Sequence, residues 1–203
     1  MALALLAVLV GPAVAARAAD ACGPGSNPIV CENSLPGTPM SQWYAPSAWG
    51  DIQGFSTTES VQPGQTISFK VSSPASFTIA IYRLGWYGGD GARLLPTSPT
   101  AVFPATTQPT CTRDASTGLT DCGNWTVNAT WDVPSDAVSG VYLADLSQTD
   151  NQGFMPYPFV VTNPSSHSDI VVQTSDQTWQ AYNMYGGDDL YQGNGPAPDG
   201  RAY

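Results

Sequence analysis

The sixteen residues Ser76–Gly91, SFTIAIYRLGWYGGDG, place the strongest local constraint on this chain. In the first half Phe77, Ile79 and Ile81 alternate with small or polar residues, the period-two pattern of a strand with one buried face. The second half sets Arg83, Trp86 and Tyr87 among Gly85, Gly88, Gly89 and Gly91, a composition for a tight, irregular loop carrying large planar side chains. Tyr82, Arg83, Trp86, Tyr87 and Arg93 are therefore a candidate binding surface or interdomain contact. The architectural alternative is a long glycine hairpin whose rings cap the open end of a sandwich.

The neighbouring segments repeat the strand pattern. FSTTESV precedes the turn signal Gln62-Pro-Gly-Gln65, and TISFKV follows with Ile67, Phe69 and Val71 on one face, which predicts a hairpin entering the core. Ala92–Pro109 reads as a Pro/Thr-rich loop with one strand at Thr100–Phe103. Trp125–Trp131 predicts a strand with Trp125, Val127, Ala129 and Trp131 inward. The strand beginning Ser139-Gly140-Val141-Tyr142 carries a tyrosine near its start, a recurrent corner device of immunoglobulin-like folds. Pro156–Thr162 supplies the last strand, and six or seven strands at this spacing predict a β-sandwich over 54–162.

Charge restricts the function classes. The chain has 203 residues and a net charge of −10, with one lysine, Lys70, and five arginines. A nucleic-acid partner needs clustered cations to displace counterions, and attraction to an anionic membrane needs the same. Neither partner is expected.

The run Leu3–Val10, broken by Gly11-Pro12 and followed by small residues, reads as a secretory signal over 1–21, although no Lys or Arg precedes it. Cleavage after Ala15, Ala18 or Ala21 fits equally, and the run is too short to span a bilayer. The expected location is extracellular. Four cysteines then predict two disulfides, for which three pairings exist. The turn composition between Cys111 and Cys122 favours a bridge there, and Cys22 with Cys31 would staple the mature N-terminus. Residues 22–53, rich in Pro, Gly and Ser, predict an extended arm pinned by Trp43, Tyr44 and Trp49. The sequons at Asn124 and Asn128 are read as chance occurrences in a Thr-rich chain.

After a linker at 163–168 the pattern changes. Ile170-Val171-Val172 is a continuous apolar run, as in a strand buried on both faces of a parallel sheet, and Thr178–Tyr185 predicts about two helical turns. One strand and one helix cannot bury their own faces, so 169–203 is expected to open an α/β domain whose remainder is a missing partner. Asp145, Asp150, Asp188 and Asp189 lack calcium-loop spacing and read as solvated loop charge. His167, the only histidine, lies in the linker, which removes a histidine relay.

Three stretches carry a resemblance: Asn27-Pro-Ile-Val with Glu32-Asn-Ser-Leu-Pro-Gly-Thr-Pro, then Tyr82–Arg93, then Ser175-Asp-Gln-Thr-Trp-Gln-Ala-Tyr-Asn-Met-Tyr-Gly-Gly187. Together they resemble exported members of the N,N-dimethylformamidase large (beta) subunit family. The resemblance implies an N-terminal sandwich followed by the opening of a larger, amidotransferase-like α/β domain. It implies hydrolysis of a formamide C–N bond by an iron ion held by two tyrosines and a glutamate, with Tyr182 matching the first tyrosine. No counterpart of the second tyrosine or the glutamate is identified, so iron is expected in the complete protein and no cofactor in this chain alone.

The fold expectation is thus mainly β: an immunoglobulin-like sandwich and the first strand-helix unit of an α/β domain. Functionally, the first reading is the N-terminal portion of a secreted amide hydrolase with the sandwich as accessory module. The alternatives are a module binding a glycan or cell-surface polymer through Tyr82, Trp86 and Tyr87, and a purely structural module.

Overall fold

The computed structural model describes residues 21–44, 51–150 and 152–203. The expected signal region before residue 21, and Trp49, lie outside them. The fold is mainly β, as the alternating segments predict. Among the described residues the strands are β1 (Gln53–Ser56), β2 (Ser60–Val61), β3 (Thr66–Ser72), β4 (Phe77–Leu84), β5 (Ala92–Leu94), β6 (Thr112–Arg113), β7 (Thr120–Asp121), β8 (Ala129–Asp132), β9 (Gly140–Gln148) and β10 (Phe154–Val161). The short helices α1 (Pro28–Ser34), α2 (Met40–Trp43) and α3 (Asp176–Ala181) flank them.

A three-stranded sheet, β1-β3-β8, faces a five-stranded sheet, β2-β10-β9-β4-β5, and β6-β7 form a separate hairpin. The predicted inward residues fill the space between the sheets: Ile67, Phe69 and Val71 from one, Phe77, Ile79, Ile81, Ala144 and Leu146 from the other. Phe69, Trp131, Tyr142 and Phe159 cluster at ring-centroid distances of 5.6–6.2 Å. Their buried area is the main driving force here, at roughly 25 cal/mol per Å² of apolar surface. The Tyr142 hydroxyl donates to the Val138 carbonyl at 2.6 Å, closing the predicted corner.

Several local expectations are corrected. FSTTESV and TISFKV do not form one hairpin: β1 pairs with β3, whereas β2 pairs in parallel with β10 in the opposite sheet. The chain changes sheets at Thr57–Glu59, a corner that alternation alone does not reveal. Of the predicted Trp125–Trp131 strand only the part from Ala129 onward is regular, within β8, and Val127 is exposed. There the Asn128 side chain substitutes for a main-chain rung, accepting from Val71 N at 2.9 Å and donating to Val71 O at 2.8 Å. Thr100–Phe103 makes no strand. Phe103 and Thr106 bridge singly to Phe77 and Ser73, and Pro104 between them has no N–H to give a continuous ladder.

The arm is not extended throughout. Asn27 caps α1 by accepting from Ile29 N, Pro28 occupies the first turn, and a Cys22–Cys31 disulfide staples the helix to its approach. The second disulfide, Cys111–Cys122, closes the base of the β6-β7 hairpin as expected. Ile170, Val171 and Val172 form no strand and are 80–88% exposed. A doubly buried strand needs neighbours on both sides, and nothing among the described residues pairs with this segment. Helix α3 begins two residues earlier than predicted and ends at Ala181.

Candidate functional site

The aromatic-glycine loop is built by closure. Gly85 N donates to Gly91 O, and between them the chain makes a short turn, Tyr87–Gly89, with Tyr87 at φ +42° and Gly88 at φ +71°. The positive φ of Tyr87, unusual for a side-chain-bearing residue, coincides with a ring that is 2% exposed. A Cβ on Gly85 would lie 2.3 Å from Asn33 Oδ1, so glycine here permits α1 to seat directly on the loop. Asn33 Oδ1 then accepts from Trp86 N at 2.5 Å.

A charged cluster forms beneath this contact. Arg83 Nη1 donates to the Tyr87 hydroxyl at 3.0 Å, and that hydroxyl donates to Glu32 Oε1 at 2.9 Å. Arg93 Nε reaches the same carboxylate oxygen at 2.8 Å, while Arg83 Nη2 donates to Ser139 O at 2.9 Å. Arg83 and Glu32 are buried, and burial raises the Tyr87 phenol above its ordinary value, its largest cause, with the Arg83 hydrogen bond opposing. Tyr82 is also buried, donates to Gln42 O at 3.3 Å, and is raised by burial and then by Asp145. Trp43 donates to the carbonyls of Thr38 and Asp90, whereas Tyr44 is half exposed and pins nothing.

Of the five residues singled out in the sequence as a binding surface, three are thus brought together, but facing inward. Arg83, Tyr87 and Arg93 join Glu32 as a clamp between arm and sandwich, and Tyr82 lies under α2. Only Trp86, 71% exposed, presents a ring to solvent. Glu32 carries no sequence mark of this partnership, because only the fold brings its helix to the two arginines.

The second candidate lies after the sandwich. Arg113 of β6 grips Asp188 with two parallel bonds of 2.8 and 2.9 Å and also donates to Gly186 O at 2.8 Å. Tyr203 N donates to Thr117 O, so the last residues lie against the hairpin. Asp189 accepts from Tyr191 N and Gln192 N through Oδ1. Asp188, Asp189 and Asp145 are therefore buried rather than solvated, correcting that expectation, while Asp150 is exposed as expected.

Tyr182 follows α3, is 59% exposed, and stacks on Tyr191 with ring centroids 4.5 Å apart and an interplanar angle of 19°. Its hydroxyl has no hydrogen-bond partner among the described residues. Trp179 is also about half exposed, so the two do not form a packed helix face. A mononuclear iron site needs convergent oxygen or nitrogen donors. Tyr182 brings one phenol, while Asp188 and Asp189 are committed to Arg113 and to main-chain N–H groups. Among the described residues no three His, Cys, Asp or Glu side chains gather as a metal site. This donor set does not fit the ion by itself.

Two disulfides accord with an oxidising, extracellular location, and among the described residues no helix is long and apolar enough to cross a membrane. A family model described as N,N-dimethylformamidase beta subunit-like, C-terminal, matches residues 78–203, which is more than half of the chain. The match begins inside β4 and runs through the remaining strands, the clamped tail and Tyr182. No curated protein was found to be similar.

Proposed function

The chain belongs to the N,N-dimethylformamidase beta subunit-like family, and on that footing we propose that it supplies the sandwich portion of an exported dimethylformamidase-like protein. The sandwich is an immunoglobulin-like accessory module, and residues 169–203 open the domain that performs amide C–N hydrolysis. The observation that carries this reading is the family match over residues 78–203, which takes in the sandwich from β4 onward and all of 169–203. Two features support it: the Arg113–Asp188 pair fastens the tail to the module, and the exposed run Ile170–Val172 is an apolar strand sequence awaiting a sheet.

Iron, in this reading, enters with residues that the described part of the chain does not assemble, and Tyr182 is its contribution to the ligand set. No catalytic step is assigned to this chain alone. The purified 203-residue chain should release no dimethylamine from N,N-dimethylformamide and should hold iron well below one equivalent. In a longer protein carrying this chain, Tyr182→Phe should remove both bound iron and the tyrosinate-to-iron charge-transfer band. Turnover by the chain alone, or full iron and colour in the variant, would overturn the proposal. Export is checked by N-terminal sequencing of secreted material, expected to start after Ala15, Ala18 or Ala21.

A further inference from the structure

Between α3 and the flank of the sandwich lie two hollows that the aromatic-glycine loop does not touch. One has a volume of about 570 Å³ and the other about 230 Å³, and Glu59, Tyr157, Gln180 and Asn183 line both. The larger is within the usual range of small-ligand pockets, roughly 300–1,000 Å³. Its walls are held apart by bonded contacts: the Tyr185 hydroxyl donates to Gln53 Oε1 at 2.9 Å, and the next turn is held by Arg113. The cleft is thus tied to the sandwich at its Tyr185 end.

Its lining combines two kinds of surface. Rings come from Phe55, Trp125, Tyr157 and Tyr185 in the larger hollow and from Trp179 in the smaller. Polar edges come from Gln180, which accepts from Asn183 Nδ2 while its own NH₂ has no partner among the described residues, and from Glu59, whose carboxylate has none either. No Lys or Arg lines either hollow, whereas Glu59, Asp121 and Asp176 do. Lys70 lies 5.7 Å from the Phe55 ring centroid and donates to Gly123 O, so a single ammonium borders the cleft against the three lining carboxylates.

This lining disfavours two classes of ligand. An anion would meet three carboxylates and no lining cation. A wholly apolar molecule would strip water from Glu59 and Gln180 without replacing its hydrogen bonds. An uncharged polyol with apolar ring faces satisfies both conditions, its C–H faces lying on aromatic rings and its hydroxyls donating to Glu59 or accepting from Gln180. We propose that the cleft between α3 and the sandwich binds a neutral polysaccharide chain, with Trp179, Tyr157 and Tyr185 as stacking faces and Glu59 and Gln180 as hydroxyl partners. This is independent of the amide-hydrolase reading and lies away from the loop that the sequence brought forward.

Calorimetric titration of the 203-residue chain with maltohexaose, cellohexaose, N-acetylchitohexaose and an oligogalacturonate hexamer tests it. At least one neutral hexasaccharide should bind and the charged one should not. Trp179→Ala and Gln180→Ala, both exposed positions, should each weaken binding by about tenfold with the melting temperature unchanged. Trp86→Ala should leave binding as it was. Absence of any binding at millimolar sugar, binding indifferent to Trp179→Ala, or equal binding of the oligogalacturonate would overturn it. None of these results bears on iron content, so failure here and failure of the family-based reading are separable.

Discussion

Asp145 is the residue whose protonation should govern how stability changes with pH. It sits in β9 opposite Ala80 of β4 and Pro156 of β10, facing away from the core that Ala144 and Leu146 enter. It is nevertheless 2% exposed, and neither carboxylate oxygen has a hydrogen-bond partner. Burial pushes its carboxyl up to about 7, against about 3.9 for an unfolded aspartate. The folded state therefore holds the proton more tightly than the unfolded state. Its contribution to stability is complete below about pH 4 and is lost as pH rises to about 7, beyond which it stays flat. The full change is about 4 kcal/mol, of which about 3 kcal/mol falls between pH 5 and pH 8. Urea denaturation of the wild type and of Asp145→Asn across that interval is the assay. The amide keeps the shape and stays neutral, so the difference between the two proteins should grow with pH and favour the variant at pH 8 by a few kcal/mol. The other carboxylates titrate in both proteins and cancel in that difference. Parallel pH profiles would refute the reasoning, because they would mean that the Asp145 carboxylate is solvated or paired when ionised.

Other substitutions probe the clamps. Glu32→Gln removes the charge shared by Tyr87 and Arg93 and should destabilise by about 2–4 kcal/mol, below the full penalty of a buried pair because Arg93 is partly exposed; chemical denaturation reads it directly. Replacing Cys111 and Cys122 together with Ser should cost roughly 3 kcal/mol on the chain-entropy model, seen as a lowered urea midpoint. Arg113→Ala leaves Asp188 buried without its partner and should speed limited proteolysis within 163–187 while leaving 54–162 resistant. In the isolated chain Tyr182→Phe should change stability by less than about 0.5 kcal/mol, since the stacked ring is kept and the hydroxyl has no partner. A loss above 1 kcal/mol would show that the hydroxyl is structural.

The sandwich was legible because its core positions obey a single period. Ile67, Phe69 and Val71, and Phe77, Ile79 and Ile81, point inward as alternation requires, and Tyr142 closes its corner. Legibility failed where side chains imitate main chain or where the chain changes sheets. Asn128 completes a rung with its amide, so Val127 turns outward although it fits the pattern, and the corner at Thr57–Glu59 carries no periodic mark. The capped start of α1 was present in the sequence as Asn27-Pro28, but the density of Pro, Gly and Ser around it reads first as irregular coil. At the candidate site, residue types were found and orientation was not. Arg83, Tyr87 and Arg93 stand out in the sequence as a group, yet a planar ring beside guanidinium groups is equally suited to an exposed ligand platform and to a buried clamp. Only the arrival of Glu32 from an element about fifty residues away decides between them.

The distribution of positive charge joins these observations. Six cationic side chains in a chain of net charge −10 are too few for an anionic partner, but their placement within the fold is selective. Arg93 holds the arm, Arg83 braces the Tyr87 hydroxyl that reaches the arm, Arg113 holds the tail, Lys70 donates to Gly123 beside the second disulfide, and Arg201 pairs on the open surface, with Asp199. Arg17 lies outside the described residues. Three of the cations thus stand at the two seams where segments outside the sheets meet the sandwich. Those segments bury little apolar area of their own: α1 leaves Ile29 and Val30 exposed, and α3 leaves Trp179 exposed. Hydrophobic burial alone would attach them weakly, and bidentate or shared guanidinium-carboxylate contacts supply direction where area is lacking. Partly buried pairs are screened less by salt than surface pairs, so both segments should stay docked at ionic strengths that abolish the Arg201–Asp199 contact.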